Sequence, residues 1–363
     1  MAKIMDTDYM SFRQAAEGMK IIIWGAGRLA SYYIETFCKD LDVVMIVDND
    51  EKLSGKHIDV DGKSYSVILA DTWIGQLKNC VEELKSIIIF ITPTSYAHEI
   101  ILQINQIPML KDVKCCMGVL MRDKCRACNF KFTQGNEKIP RKIHYCWFGG
   151  GEIPDRLRNY MDTWEKNCPD YEIVRWDESN YDITKNKYMK EAYEAKCWGF
   201  VPDYARLDII YQEGGIYLDT DVELLMPLDK LLNDEMFCGF GCNFLMNLGN
   251  GFGAVKGFPL IKEFRDYYEG FSFHLSDGTL NKKTCYEYQH PILLKNGFTL
   301  ENVYQKRGGA VIYPSEVLSP EGSGLYKNYT SNTISVHHCE YSWANECEKE
   351  AFETLKRETL YEN

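Results

Sequence analysis

The stretch Gly214-Gly215-Ile216-Tyr217-Leu218-Asp219-Thr220-Asp221-Val222-Glu223 decides how the rest of the chain is read. It follows an apolar run with helical spacing, and its two glycines suit a helix C-cap. Ile-Tyr-Leu then favours a strand. A strand carried on to Asp221 would point Asp219 and Asp221 to one side and Thr220 to the other. Two hard oxygen ligands at a strand end suit a divalent cation that keeps open positions for phosphate oxygens. A solvated turn is the plain alternative.

Just upstream, Pro202-Asp203-Tyr204-Ala205-Arg206 opens a helix with proline at its first position. Asp203 and Arg206 are three apart and share a face. As an exposed ion pair they would contribute a few tenths of a kcal/mol. The alternative is that both face a pocket ahead of Asp219 and bind sugar hydroxyls. Further back, Ile139-Pro140-Arg141-Lys142-Ile143-His144-Tyr145-Cys146-Trp147-Phe148-Gly149-Gly150 reads as a strand ending in aromatics and glycines. The helical run 157–164 and the strand Glu172 to Trp176 complete a β-α-β unit. Trp147, at a strand end beside glycines, is placed to stack on a planar ligand.

Downstream, 243–254 is rich in Gly and Asn and reads as an active-site loop. Pro259 opens an amphipathic helix to Tyr268, and 270–310 reads as loop-rich. Near the end, Val336-His337-His338-Cys339-Glu340-Tyr341-Ser342-Trp343 gathers two imidazoles, a hydroxyl and an indole. A polar helix from Ala344 to about Tyr361 closes the chain.

The first part of the chain has its own pattern. After a leading helix over 1–19, the strand Lys20 to Trp24 runs into Gly25-Ala26-Gly27-Arg28-Leu29-Ala30 and a helix. A second strand ends in Asp48-Asn49-Asp50, and Asp48 lies where a Rossmann unit places the acid that binds a ribose. Further strands at 66–69 and 86–91 give a doubly wound α/β domain over about 20–114. Gly25, Gly27 and Asp48 form a second nucleotide site on this reading. On the other, the glycines serve only the tight turn and close packing. This part resembles the small Rossmann-like domain at the front of several bacterial sugar-modifying and polysaccharide proteins. Residues 115–138 break the pattern and read as a linker. Cys115, Cys116, Cys125 and Cys128 there are four thiols in reach of a zinc ion, but the adjacent first pair is poor geometry for one.

The totals agree with two domains: 1–114 and 139–363, joined by 115–138. The chain has 363 residues, with 45% hydrophobic and 13% aromatic content, enough for sizeable cores. A formal net charge of -12 argues against nucleic acid as a partner. The 14 cysteines are scattered through a core-forming chain, which suits reduced thiols. No apolar run reaches membrane-spanning length, and the first residues lack a signal-peptide core. The expected location is cytoplasmic, with the inner face of the membrane as a peripheral site.

Taken together, 138–343 resembles glycosyltransferase family 32, which holds DXD sugar transferases related to yeast initiating mannosyltransferases and to clostridial toxin glucosyltransferase domains. The features that carry this are the 139–150 stretch, Asp203 with Arg206 before Gly-Gly-Ile-Tyr-Leu-Asp-Thr-Asp, and His337-His338 followed by Ser342-Trp343. The resemblance implies a GT-A fold, a nucleotide-diphospho-sugar donor (UDP-sugar favoured) and Mn²⁺ or Mg²⁺. By position, Trp147 would stack on the base and Asp203 and Arg206 would bind the donor sugar. Asp219 would contact ribose or the metal's water shell, and Asp221 would ligate the metal. His338 and Ser342 would complete the metal or diphosphate site, with Trp343 over the pyrophosphate. The family retains anomeric configuration. The implied role is transfer to a glycan or lipid-linked glycan acceptor in bacterial capsular or surface polysaccharide synthesis, with the N-terminal domain docking onto assembly proteins. Two enzymes of other classes compete: an NAD-dependent nucleotide-sugar-modifying enzyme centred on the N-terminal domain, and a glycosidase using Asp219 and Asp221.

Overall fold

The computed structural model describes residues 3–5, 7–77, 83–93, 96–118, 121, 129–241, 246–322, 326–340 and 350. The chain divides into two compact units, one of Met1–Lys124 with Ala344–Asn363 and one of Cys125–Trp343. The closing helix expected over 344–361 lies, except for Glu350, outside the described residues.

In the first unit the elements are β1 (Lys3–Ile4), α1 (Tyr9–Ala16), β2 (Lys20–Trp24), α2 (Leu29–Glu35), β3 (Asp42–Asp48), β4 (His57–Val60), β5 (Lys63–Leu69), α3 (Ala70–Leu77), β6 (Ile87–Ile91), α4 (Ala97–Gln106) and β7 (Lys114–Met117). The sheet order is β1-β7-β6-β2-β3-β5-β4, parallel except for the β4–β5 hairpin. Strands β2 and β6 are continuous apolar runs because both faces are covered by helices. The leading helix is shorter than expected, capped by Asp8, whose carboxylate accepts the Ser11 amide at 2.6 Å, and a strand precedes it.

The expected linker also begins later. Cys115 and Cys116 are buried in β7. Neighbours along a strand point to opposite faces, so these two thiols cannot share an ion. Burial pushes the Cys115 thiol up to about 12, so it stays protonated. Cys125 and Cys128 lie outside the described residues.

The second unit runs β8 (Lys142–Cys146), α5 (Asp155–Asn167), β9 (Glu172–Trp176), α6 (Lys187–Glu194), α7 (Pro202–Glu213), β10 (Gly215–Tyr217), β11 (Val222–Leu224), β12 (Met236–Gly239), β13 (Phe252–Ala254), α8 (Pro259–Tyr267), α9 (Cys285–Lys295), β14 (Gln305–Arg307), β15 (Ala310–Tyr313), α10 (Ser315–Leu318), β16 (Glu321–Gly322), β17 (Tyr326–Lys327) and β18 (Ser335–His337). Its main sheet has the order β14-β15-β12-β13-β10-β8-β9. β9, β8 and β10 are parallel, while β13 runs antiparallel to β10 and β12. This is a mixed α/β architecture, as expected. The segment 270–310 holds α9, which opens with a capping box between Thr284 and Glu287 and carries Pro291 inside it.

Helix α7 positions the site. All eight residues from Asp203 to Ile210 are buried, so the helix is enclosed on every side. Its charged side chains must therefore find partners within the fold. Asp208 takes the Tyr181 hydroxyl at 2.9 Å and the Lys185 ammonium at 3.0 Å.

Candidate active site

A cavity of about 750 Å³ opens where β8 and β10 end, and its wall includes Trp147, Asp203, Arg206, Asp219, Asp221 and His337. Strand β10 stops at Tyr217 rather than running to Asp221. Leu218 N–H still donates to His144 O at 3.0 Å, and the chain then turns, with Val222 N–H donating to Asp219 O at 3.1 Å. The two acids thus bracket a turn instead of alternating along a strand, and the turn itself brings their carboxylates together. An oxygen of each and a ring nitrogen of His337 all lie within 4.8 Å of one another.

His337 arrives through the antiparallel pairing of β11 with β18, which sets it opposite Val222. Its Nε2 is 3.2 Å from Asp221 Oδ1, and the Cys339 thiol lies 3.3 Å from Nδ1. The Glu340 amide donates to Asp221 Oδ2 at 2.9 Å. Burial works against the charge on Asp221, yet His337 beside it holds the carboxyl below its ordinary value. A proton shared between His337 and Asp221 competes with a cation for the same pair. Two carboxylates and an imidazole are a donor set that fits Mn²⁺ or Mg²⁺, the imidazole favouring the softer Mn²⁺.

His338 is not in this group. The residue after His337 faces the other way, as one step along extended chain requires. Its Nε2 lies 2.9 Å from Glu223 Oε2, and its ring stacks on Tyr160 with centroids 4.0 Å apart. The histidine that lies with Asp219 and Asp221 is thus His337, not the His338 expected from the sequence.

Asp203 and Arg206 are a buried pair, each side chain 6% exposed, not the surface pair that helix spacing alone allows. Arg206 Nη2 donates to Asp203 Oδ1 at 3.0 Å and Nη1 to Asp219 Oδ2 at 3.3 Å. The guanidinium sits 5.1 Å over the Tyr217 ring, and Nε donates to Pro202 O at 3.1 Å. Burial pushes Asp203 up to about 7; Arg206 pulls it down and Asp219 adds to the rise. Trp147 follows β8, half-buried, its indole N–H donating to Gly151 O at 2.7 Å.

Two neighbours escaped sequence reasoning. A Cβ on Gly249 would lie 2.4 Å from Asp219 Oδ2 and 3.4 Å from Arg206 Nη1, so only glycine lets this loop approach the pair. Asn250 is 2% exposed, lines the cavity, and its Nδ2 finds no partner among the described residues. Its signal in the sequence was only the Gly/Asn richness of 243–254. Ser342 and Trp343 lie outside the described residues.

The glycine loop of the first unit is used differently. Asp48 spends both carboxylate oxygens on backbone, accepting Ala26 N–H at 2.6 Å and Asp50 N–H at 2.8 Å. A Cβ on Gly25 would meet Pro93 Cδ at 2.5 Å, whereas one on Gly27 would meet nothing within 4 Å. Gly25 is thus explained by turn and packing, and α2 beyond it is only 7 residues long.

The second unit thus sets an enclosed acid–arginine pair beside a carboxylate turn in one cavity. Residues 154–238 match the family described as "Glycosyltransferase sugar-binding region containing DXD motif". The chain is 32% identical over 116 residues to inositol phosphoceramide mannosyltransferase 1 of Schizosaccharomyces pombe, covering 28% of this chain and 34% of that protein. It is 28% identical over 120 residues to the initiation-specific alpha-1,6-mannosyltransferase of Candida albicans, covering 30% of this chain and 31% of that protein. The chain thus spans about a third of the length of these relatives. Among solved structures, the galactosyltransferase LgtC in complex with donor and acceptor sugar analogues aligns with a TM-score of 0.32 at 15% identity, covering 59% of this chain and 95% of that one. No helix among the described residues is long and apolar enough to cross a membrane.

Proposed function

We propose that the second unit transfers a sugar, with retention at the anomeric carbon, from a nucleotide-diphospho-sugar to a glycan or lipid-linked glycan acceptor. The observation that carries this is the convergence of Asp219, Asp221 and His337 within 4.8 Å, next to the buried Asp203–Arg206 pair. Asp221 and His337, with Asp219, would hold Mn²⁺ or Mg²⁺, which supplies charge neutralisation for a departing diphosphate. Asp203 and Arg206 orient the sugar by its hydroxyls, so that reaction within the cavity becomes effectively unimolecular. Asn250 Nδ2 offers a further donor to the same sugar. Trp147 stacks on the base. No separate carboxylate is placed as a covalent nucleophile in this reading, so the acceptor attacks from the face the diphosphate leaves.

A uridine donor is favoured by the Trp147 placement, and guanosine donors are the competing choice. The biological setting proposed is bacterial capsular or surface polysaccharide synthesis, in the cytoplasm where nucleotide-sugars are made, with the first unit docking onto assembly proteins. The test is donor hydrolysis without acceptor across UDP- and GDP-sugars, with and without Mn²⁺. Metal-dependent release of one nucleotide, lost in Asp221→Ala, is the expected result. No hydrolysis and no binding of any donor sinks the proposal.

A further inference from the structure

We propose that His144 is a positioning residue that fixes the sugar-binding helix and the carboxylate turn relative to each other through a single neutral tautomer. The proposal rests on the transferase reading above. It starts from a connection problem: Asp203 and Arg206 sit on α7, Asp219 and Asp221 on the turn after β10, and only Gly214, the three-residue strand that begins with Gly215, and Leu218 separate the two. Both glycines have left-handed φ, +72° and +104°. Glycine tolerates that region at no steric cost, so the link is pliable unless something outside it holds it.

His144, 1% exposed in the strand beside β10, grips the link at both ends. Its carbonyl accepts the Leu218 amide at 3.0 Å, one residue before Asp219. Its Nε2 lies 2.9 Å from Gly214 O, at the end of α7. A Cβ on Gly215 would lie 2.8 Å from that same nitrogen, so the ring fills the space the glycine leaves. The third contact settles the tautomer. Trp176 Nε1 is 3.0 Å from His144 Nδ1, and an indole nitrogen only donates. Nδ1 must therefore accept, the proton sits on Nε2, and Nε2–H donates to Gly214 O. Flipping the proton would oppose two donors at Trp176 and two acceptors at Gly214. The groups that face the ring electrostatically are Lys142 on its own strand, Glu172 on β9 and Glu213 on α7. None of these touches the carboxylate turn.

The test uses the full chain. Nitrogen-15 correlation of the imidazoles, with the His144 signal assigned by its loss in His144→Gln, should show Nε2–H with Nδ1 unprotonated from pH 5 to 8. An Nδ1–H tautomer, or a titration near pH 6.5, overturns the proposal. In parallel, His144→Leu should lower kcat for donor hydrolysis about tenfold to a hundredfold, with KM for the donor changed less than about threefold. His144→Gln keeps an amide N–H where Nε2–H stands and should restore most of that loss. Equal damage in both variants reduces His144 to packing and overturns the proposal. If the Leu variant does not fold, Trp176→Phe serves, because it keeps the ring and removes the N–H. It should free the tautomer and lower kcat, and no change in either overturns the proposal. A wild type that hydrolyses no donor counts against the transferase reading, while the NMR arm decides the His144 arrangement without turnover.

Discussion

Arg206 holds Asp219 at 3.3 Å from a helix thirteen residues upstream, while its other terminal nitrogen holds Asp203 at 3.0 Å. One guanidinium thus spans α7 and the carboxylate turn. Removing it leaves two carboxylates facing each other, one of them fully enclosed. Arg206→Met should cost about 3–5 kcal/mol, the range for orphaning one partner of a buried pair. Chemical denaturation would check this, and a loss under about 1 kcal/mol would mean the pair is open to water.

The choice between the two adjacent histidines is decided by variants. His337→Ala should weaken Mn²⁺ dependence of donor hydrolysis by about tenfold or more, and Asp221→Ala should lower turnover by about 10²–10³. His338→Ala should leave the metal titration within about twofold, since its partner is Glu223. The reverse ranking would put the ligand back on His338.

Gly249→Ala is the mildest change that reaches the site. Its Cβ would press on the Asp219 carboxylate, the movable end of a side chain, so stability should fall by less than about 1 kcal/mol. Turnover should fall about tenfold to a hundredfold as Asp219 is pushed off Arg206. Steady-state kinetics beside a thermal melt would separate the two effects.

Acid should weaken the fold through His144. Burial lowers its imidazole from 6.5 to about 4. Between those values the unfolded chain binds the proton and the folded chain does not, so stability falls as pH drops from about 6.5 to 4. The shift corresponds to at most about 3 kcal/mol. His144→Gln should flatten the stability–pH curve in that window, as urea titrations at several pH values would show.

The two glycines of the first unit separate packing from phosphate binding. Gly25→Ala meets Pro93 and Thr92 in a left-handed conformation, and should destabilise its unit by about 1–3 kcal/mol. Gly27→Ala, with open space around it, should change stability little. If Gly27→Ala instead abolishes binding of a nucleotide to this unit, the glycine loop serves a ligand after all.

Much of the fold was legible because it is local. The β-favouring stretch Ile173-Val174 within Glu172–Trp176, the proline opening α7 and the glycines closing it each mark an element by short-range chemistry. Helix α9 was missed although Thr284-x-x-Glu287 spells a capping box, because Pro291 and an almost uniformly buried helix blur its periodicity. The site was legible in its carboxylates and less so in its geometry. Whether Asp219 and Asp221 alternate on a strand or bracket a turn depends on where β10 stops. Which histidine faces Asp221 depends on a register set by the pairing of β11 with β18. Gly249 and Asn250 matter only through contacts with residues distant in sequence.

Glu340, which donates its amide to Asp221, stands 119 residues further along the chain, and β18 just before it brings His337. A ribosome therefore makes nearly all of the second unit before the carboxylate turn meets its imidazole. Helix α7, the carboxylate turn and strand β8 with Trp147 can be folded while the His337 imidazole is still to come. On the transferase reading, a chain cut short before Ser335 would keep most of the cavity wall and lack the imidazole beside Asp221, because β18 is the last strand among the described residues.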